Sequence, residues 1–515
     1  MNHQQILLFI ILAYFLLLLG VAFYTSRGSN NESFFVGNRS SKWWLVAFGM
    51  IGTSLSGMTF ISVPGTVGAG AFGYFQVVIG YWIGYFIVAY VLLPVYYKMK
   101  LTSIYTYLER RLGVNAHKTG ALFFILSRTL GATLRLYLVI KVLETFVLRD
   151  LGISFELTAV VILGLILLYT YRGGVKTIVW TDTLQTTFML LALIVSLVYL
   201  AGQLNFGLGE AWAAIREKGM TKIFATDPLP GNYFLKQILG GAFITIAMTG
   251  LDQEMMQKNI SVSNLKDSQK NMVVMGTLQM IVVFIFLFLG GVLTMYAQAN
   301  ALTVKGDDLF PAVAILSNGI PFAITVCFMI GLISALFPSA DGALTALTSS
   351  FCIDMLGIQK KTDWDEKKKT RVRLIVHNIF AFVFLLCIFF FREVDNGSLI
   401  DILLKLAGFT YGPLLGLFAF GILTRRSVAP GAPLVICIAA LVLTLGLDMI
   451  NNYQWYVPKM NLSPASAASL KGLSESIFGQ YKIGVELLII NAAITYVLLF
   501  ACSKKGTTTL ATVSA

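Results

Sequence analysis

Long apolar runs separated by short polar connections fill the chain from Ile6 to Cys502. In the first half they cover Ile6 to Tyr24, Trp43 to Gly65, Tyr74 to Tyr97, Leu122 to Val147, Leu157 to Tyr171, Ile178 to Ala201 and Ile238 to Leu251. Met272 to Tyr296, Phe322 to Leu347, Leu374 to Phe391, Ile402 to Leu423, Leu434 to Ile450 and Ile483 to Cys502 complete the set. A helix rises ~1.5 Å per residue, so ~20 apolar residues cross the hydrocarbon of a bilayer. The pattern predicts an all-α integral membrane protein with about thirteen transmembrane helices. The first run has no basic segment before it and no small-residue cleavage site, so it reads as a retained helix. The longest connections, Gln203 to Phe234 and Asn451 to Lys482, are expected to carry short helices or a lid. The polar tail from Ser503 is expected to be disordered.

One run departs from this pattern. Trp43 to Gly65 is long enough to span, yet its middle holds Gly49, Gly52, Thr53, Ser54, Ser56, Gly57 and Thr59. In hydrocarbon every backbone N–H and C=O needs a partner, so such a segment is tolerated only against protein or a water-filled site. It predicts a discontinuous helix, broken near Gly52, whose free carbonyls coordinate a small cation. The adjoining half-helix N-terminus would attract an anionic group. Alternatively, the small residues serve only to let another helix pack closely.

Composition narrows the class. The chain is 57% hydrophobic and 12% charged, with mean hydropathy +0.79, values of a multi-spanning membrane protein. Its net charge of +13 suggests nucleic acid only until the lysines and arginines are located. Most fall on alternate loops, among them Lys98 to Lys118, Lys258 to Lys270 and Lys360 to Arg373. That asymmetry places these loops inward, with the N-terminus outside, the C-terminus cytoplasmic and the chain in the cell membrane. Only Arg128, Arg135, Lys141 and Lys405 are left within spans. Cys327, Cys352, Cys387, Cys437 and Cys502 show no metal-site spacing and no disulfide framework. With three histidines and no zinc, phosphate-loop or serine-elbow motif, hydrolase and ATPase chemistry have no residues to run on. Neither enzymatic activity nor an organic cofactor is expected.

Four stretches then point to a family. LTSIYTYLERRLG (Leu101 to Gly113), YTYRGGVKTIVWTDTLQ (Tyr169 to Gln185), DQEMMQKNI (Asp252 to Ile260) and GPLLGLFAFGIL (Gly412 to Leu423) resemble the sodium:solute symporter family, nearest to its sialic-acid and sugar members. The likeness extends from the first helix to about Arg426, and implies a leucine-transporter-type core of two five-helix inverted repeats. Residues 1–42 would form a first helix and inward loop, 43–202 the first repeat and 203–234 an outward loop. Residues 235–426 would form the second repeat, 427–502 peripheral helices and 503–515 a polar cytoplasmic tail.

The resemblance also implies a sodium site between the broken helix and the eighth core helix. Backbone carbonyls fall on Gly52, Leu55 and Ala335, and a hydroxyl pair on Pro338 and Ser339, so one hydroxyl is missing. Asp341 and Gly342 stand where members with a second sodium carry hydroxyls. An ionised Asp341 offers a hard cation both oxygen and charge, and should strengthen its binding. Without a cation the same acid could carry a proton, or could cap a local helix break after Pro338. Asp182 matches an acidic family position near which some members bind the second sodium; near a helix start, it could equally be an N-cap assisted by Thr181 and Gln185.

For the solute, Ser54, Ser56 and Thr59 lie beside the expected carbonyls, in a neighbourhood that touches solute in sialic-acid and sugar members; back-bonded helix packing is the alternative. Gln76, Tyr81 and Trp82 are candidates from the next helix, where sialic-acid members carry a substrate-touching glutamine. Arg128 and Arg135 are seven residues apart and share one helix face, a fork suited to a carboxylate. An ion pair with another helix is the alternative for at least one of them. Gln253 and Gln257 are candidates for the solute site or an inner gate, and Tyr411 for a gate aromatic. These features predict a secondary active symporter that uses the sodium gradient to import a small polar solute, a carboxylate or acidic sugar. Proton coupling, or a neutral sugar or amino acid as solute, is the alternative within this fold. A transporter-like membrane sensor is the alternative of another class.

Overall fold

In the computed structural model the structure describes residues 3–26, 34–35, 39–317, 319–394 and 399–505. The long helices are α1 (His3–Thr25), α2 (Trp43–Ser54), α3 (Gly57–Gly70), α4 (Phe75–Lys98), α5 (Val114–Leu151), α6 (Phe155–Gln203) and α7 (Phe234–Gly250). They continue with α8 (Gln253–Ile260), α9 (Leu265–Ala299), α10 (Phe322–Met355), α11 (Glu366–Val394), α12 (Leu399–Leu423), α13 (Ala432–Asn451) and α14 (Leu487–Ala501). Among the described residues nine helices are long and apolar enough to cross a membrane, or eleven if each of two bent pairs is one span. The bent pairs are α2 with α3, at 58°, and α7 with α8, at 64°. Two shorter apolar helices, Phe155–Leu168 and Leu487–Ala501, stand at the remaining predicted positions.

Local chemistry sets where these helices change course. The apolar runs predicted at Leu157 to Tyr171 and Ile178 to Ala201 are joined in α6, which turns at Gly174. There φ is 53° and ψ −150°, a conformation costly for any residue with a Cβ, and Phe34 packs against the glycine. The break expected near Gly52 lies slightly later, at Leu55 and Ser56.

Burial separates the inner bundle from its periphery. In α5, α10 and α12, 78%, 72% and 78% of the spanning window is buried, against 33% in α1 and α13. Phe60 of α3 is completely buried among Phe286, Phe310 and Phe328, so the half-helix after the break is clamped by aromatic packing. Helices α4 and α7 touch backbone to backbone. A Cβ at Gly80 would overlap the Ile238 carbonyl, and one at Gly241 the Val77 carbonyl. Small residues permit this approach where lipid supplies little hydrophobic drive for helix association.

The long connections carry short helices, Leu208–Glu217 in the first, Tyr453–Lys459 and Pro464–Phe478 in the second. The tail is ordered at its start, contrary to expectation. Ser503–Lys505 pairs antiparallel with Arg426–Val428, and the Arg426 side chain binds both Ser503 Oγ, at 2.6 Å, and the Ser503 carbonyl, at 2.9 Å. Residues 506–515 lie outside the described residues.

Replacing Gly80 by Leu should force α4 off α7. Overpacking typically costs about 1–3 kcal/mol, so a lowered melting temperature in detergent is expected, whereas Gly164→Leu, which meets open space, should leave it unchanged.

Candidate functional site

Helical hydrogen bonding lapses where α2 meets α3. The Leu55 N–H donates to the Ile51 carbonyl, and the series resumes with the Phe60 N–H on the Ser56 carbonyl. Leu55 adopts φ −90° and ψ 78°, and Ser56 is extended, with ψ 174°. No backbone N–H of a described residue donates to the carbonyls of Gly52, Thr53, Ser54 or Leu55. Two glycines let other helices close on this break. A Cβ at Gly52 would overlap Thr186 Oγ1 and sit 3.6 Å from Pro338 Cγ; one at Gly57 would overlap Val139 and sit 3.9 Å from Leu336 Cα.

Helix α10 therefore passes the break at Leu336 to Pro338, with Ala335 and Ser339 completely or almost completely buried. The Ser339 hydroxyl donates to the Leu336 carbonyl at 2.9 Å and keeps its lone pairs as acceptors. Pro338 has no N–H to offer the carbonyl of Ser334. The helix nonetheless runs from Phe322 to Ser350, so the helix break that Asp341 would have capped is absent.

Beside the break lies a cavity lined by Ser54, Ser56, Thr59, Tyr81, Arg128 and Arg135, among others. The Ser54 hydroxyl donates to Gln279 Oε1 at 2.8 Å, and Tyr85 donates to the same oxygen at 2.5 Å. Tyr74 is hydrogen-bonded to Tyr81, and both line the cavity. Arg135 is 8% exposed, and its guanidinium has no hydrogen bond or ion pair to any described residue; Nε is buried without an acceptor. A buried unpaired cation on a cavity wall is an acceptor site for an anion.

Arg128, the other arginine of the predicted fork, is already matched. It forms an ion pair with Glu254 and lies 3.8 Å from Asp252 Oδ2. Asp252 caps α8 by accepting from the Glu254 N–H, at 2.9 Å, and also accepts from the Tyr411 hydroxyl at 2.7 Å. Lys258, expected on an inward loop, is instead 2% exposed inside the bundle. Its Nζ stands 2.7 Å from Asp182 Oδ2, 2.7 Å from Thr53 Oγ1 and 3.4 Å from Glu254 Oε1. Thr53 also donates to Asp182 Oδ2, at 3.0 Å. A Cβ at Gly342 would overlap Glu254, so that glycine admits the acid against α10. Asp341, completely buried, accepts from the Gly342 N–H at 2.5 Å and lies within electrostatic reach of Lys258.

Several predicted residues are engaged elsewhere. Gln76 is buried outside the cavity, where its amide holds the Gly73 and Asn232 carbonyls and the Ala225 N–H. Gln253 ties α8 to the chain at Thr102 and Ile104. Gln257 binds the Phe35 carbonyl and, at 3.2 Å, Ser349 Oγ. The Trp82 indole donates to Thr277 Oγ1 at 3.1 Å. Asp182 lies inside α6, well past its start, so it is not an N-cap. Thr181 bonds back to its own helix, and both amide atoms of Gln185 are buried without a partner among the described residues. Sequence reasoning missed Lys258 and Glu254 because a polar octamer after an apolar run reads as a loop. Their i,i+4 spacing was the available signal of a pair on one helix face.

Residues 34–438 match the sequence model of the sodium:solute symporter family. The chain belongs to that family. It is 25% identical over 459 residues to the sodium/sialic acid symporter SiaT of Proteus mirabilis (strain HI4320), covering 86% of this chain and 89% of that protein. It is 25% identical over 431 residues to the sodium/sialic acid symporter NanT of Aliivibrio fischeri (strain ATCC 700601 / ES114), covering 80% and 81%. Its fold is similar to a substrate-bound, outward-open Na+-coupled sialic acid symporter, with TM-score 0.78 at 20% identity over 98% of this chain and 99% of that one. A nucleobase-cation-symport-1 family transporter in a closed conformation matches with TM-score 0.53 at 14% identity, covering 90% and 98%. As a sodium:solute symporter this is a multi-pass membrane transport protein.

Arg128→Gln should leave Glu254 half-paired inside the bundle. Breaking a buried ion pair costs roughly 3–5 kcal/mol, and a double-mutant cycle with Glu254→Gln, read by thermal unfolding, should show the double variant more stable than Arg128→Gln alone.

Proposed function

We propose that this symporter imports a small anionic solute, with an acidic sugar as the favoured class, together with sodium. The carrying observation is the unpaired Arg135 guanidinium in a cavity next to a helix break whose carbonyls accept no backbone hydrogen bond. Sodium needs oxygen ligands, which Gly52, Leu55, Ala335 and Ser339 supply, with Pro338 leaving a nearby carbonyl unmatched and Asp341 adding charge. A carboxylate needs a cationic donor, which Arg135 supplies, with Ser54, Ser56, Thr59 and Tyr81 facing the remaining hydroxyls of the solute. That two relatives are named as sodium/sialic acid symporters supports an acidic sugar as the favoured class.

Sodium between α2 and α10 would favour the state open to the outside, and solute would then close that side over Arg135. Movement of the bundle about the broken helices delivers both inward. The distribution of basic loops supports an N-terminus outside and a C-terminus in the cytoplasm.

A thermal-shift screen of the purified protein tests this, with sodium, potassium or lithium against acidic sugars, monocarboxylates and neutral sugars. Sodium-specific stabilisation enlarged by an acidic sugar is expected; stabilisation indifferent to sodium would refute the coupling. Arg135→Gln should weaken acidic-sugar binding by about 10- to 100-fold, since a hydrogen bond to a charged group is worth about 1.5–3 kcal/mol. An equal loss for a neutral sugar of the same size would exclude Arg135 as the carboxylate anchor. Asp341→Asn should lower the apparent sodium affinity in the same assay, with unchanged affinity removing Asp341 from the ion's surroundings.

A further inference from the structure

Seven ionisable side chains are packed together inside the bundle. Asp182, Asp252, Glu254 and Asp341 carry negative charge, Arg128, Arg135 and Lys258 positive charge, and every one is buried. Among the described residues the set thus holds four acids and three bases. Lys258 occupies a particular place in this balance. Its three acceptors, Asp182 Oδ2, Thr53 Oγ1 and Glu254 Oε1, are oxygens of the kind a hard cation selects. Thr53 adjoins Gly52, so the ammonium sits beside the broken helix.

The oxygens on this side of α6 are not exhausted by the ammonium. Asp182 Oδ1, Gln185 Oε1 and Thr186 Oγ1 are buried without a hydrogen-bond partner among the described residues. Their positions are i, i+3 and i+4 on one helix face. Gly49 and Gly52 allow α2 to close over that face, with Asp182 Cβ 3.2 Å from a Cβ built on Gly49. A second cation has donors here, but the Asp182 charge that would hold it is already cancelled. An ion on Oδ1 would stand about 5 Å from the ammonium, a repulsion of about 3 kcal/mol at an effective dielectric constant of about 20.

We propose that Lys258 is a tethered cation that replaces a second sodium at Asp182, so that the chain binds one sodium per transport cycle. This inference rests on the proposed sodium coupling. Lys258→Met removes the charge while keeping an unbranched side chain, and leaves Asp182, Thr53, Gln185 and Thr186 to a mobile ion.

Equilibrium binding of radioactive sodium to the purified full chain counts the ions. Lys258→Met is expected to bind one more sodium than the wild-type protein, and adding Asp182→Asn should abolish that gain. An equal count in Lys258→Met and wild type would overturn the proposal. If the single variant does not fold, the Lys258→Met/Asp182→Asn pair, which loses both charges together, decides. It should bind as many sodium ions as the wild type, and one fewer would show that Asp182 holds an ion beside the ammonium. The wild-type count tests the sodium coupling by itself: no sodium bound refutes that coupling, while a gain of one ion on removing Lys258 still supports the tethered cation.

Discussion

An ion pair buried between helices is the constraint on which the rest of this molecule depends. Lys258, on the half-helix α8, joins Thr53 of α2 and Asp182 of α6, while its neighbour Glu254 joins Arg128 of α5 and rests on Gly342 of α10. Through Asp252, the same half-helix is bonded to Tyr411 of α12. At 2.7 Å and an effective dielectric constant of about 20, one such pair attracts by about 6 kcal/mol before desolvation offsets much of it. Its main effect is on geometry rather than net stability. Each charge can be buried only where its partner is, so five helices are held in register around α8.

That register explains why the two broken helices lie together. At the first break α2 gives up its last carbonyls, and α8 begins one residue after the second break with an aspartate cap. Free carbonyls suit a cation, and buried N–H groups at a half-helix start suit a carboxylate; Asp252 satisfies the latter from within the chain. At the first break, by contrast, four successive carbonyls accept no backbone hydrogen bond from a described residue. Close apolar packing also holds the bundle, as at Gly80 against the α7 backbone and Phe60 among three phenylalanines.

Much of this was legible in the chain, and the limits have physical causes. Apolar length and the glycine and hydroxyl content after Trp43 are local properties, so the helices and the first break could be read directly. The break falls at Leu55 rather than Gly52 because the helix retains its bonds until the Leu55 N–H reaches Ile51. Gln76 and Gln253 hold backbone groups rather than line the cavity, because a buried amide satisfies backbone groups as readily as it binds a ligand, and periodicity does not distinguish the two. Lys258 was misread. A lysine after an apolar run reads as a loop residue unless its acid partners, one of them 76 positions away, are known to be adjacent. The cation and solute assignments remain proposals built on that arrangement.

Arg128 and Arg135 show how environment separates residues that spacing treats alike. Both project from one face of α5 and both border the cavity. Arg128 lies among the acids of α8 and is neutralised by them, whereas Arg135, two turns along, meets tyrosines and serines. Arg128 consequently serves the assembly of the bundle, whereas Arg135 is left without a hydrogen-bonded or ion-paired partner among the described residues. On the proposed reading a monoanion at Arg135 and one sodium at the break would cancel each other, so loading would leave the net charge of the bundle unchanged. The buried site would then not repel its own cargo at either end of the cycle.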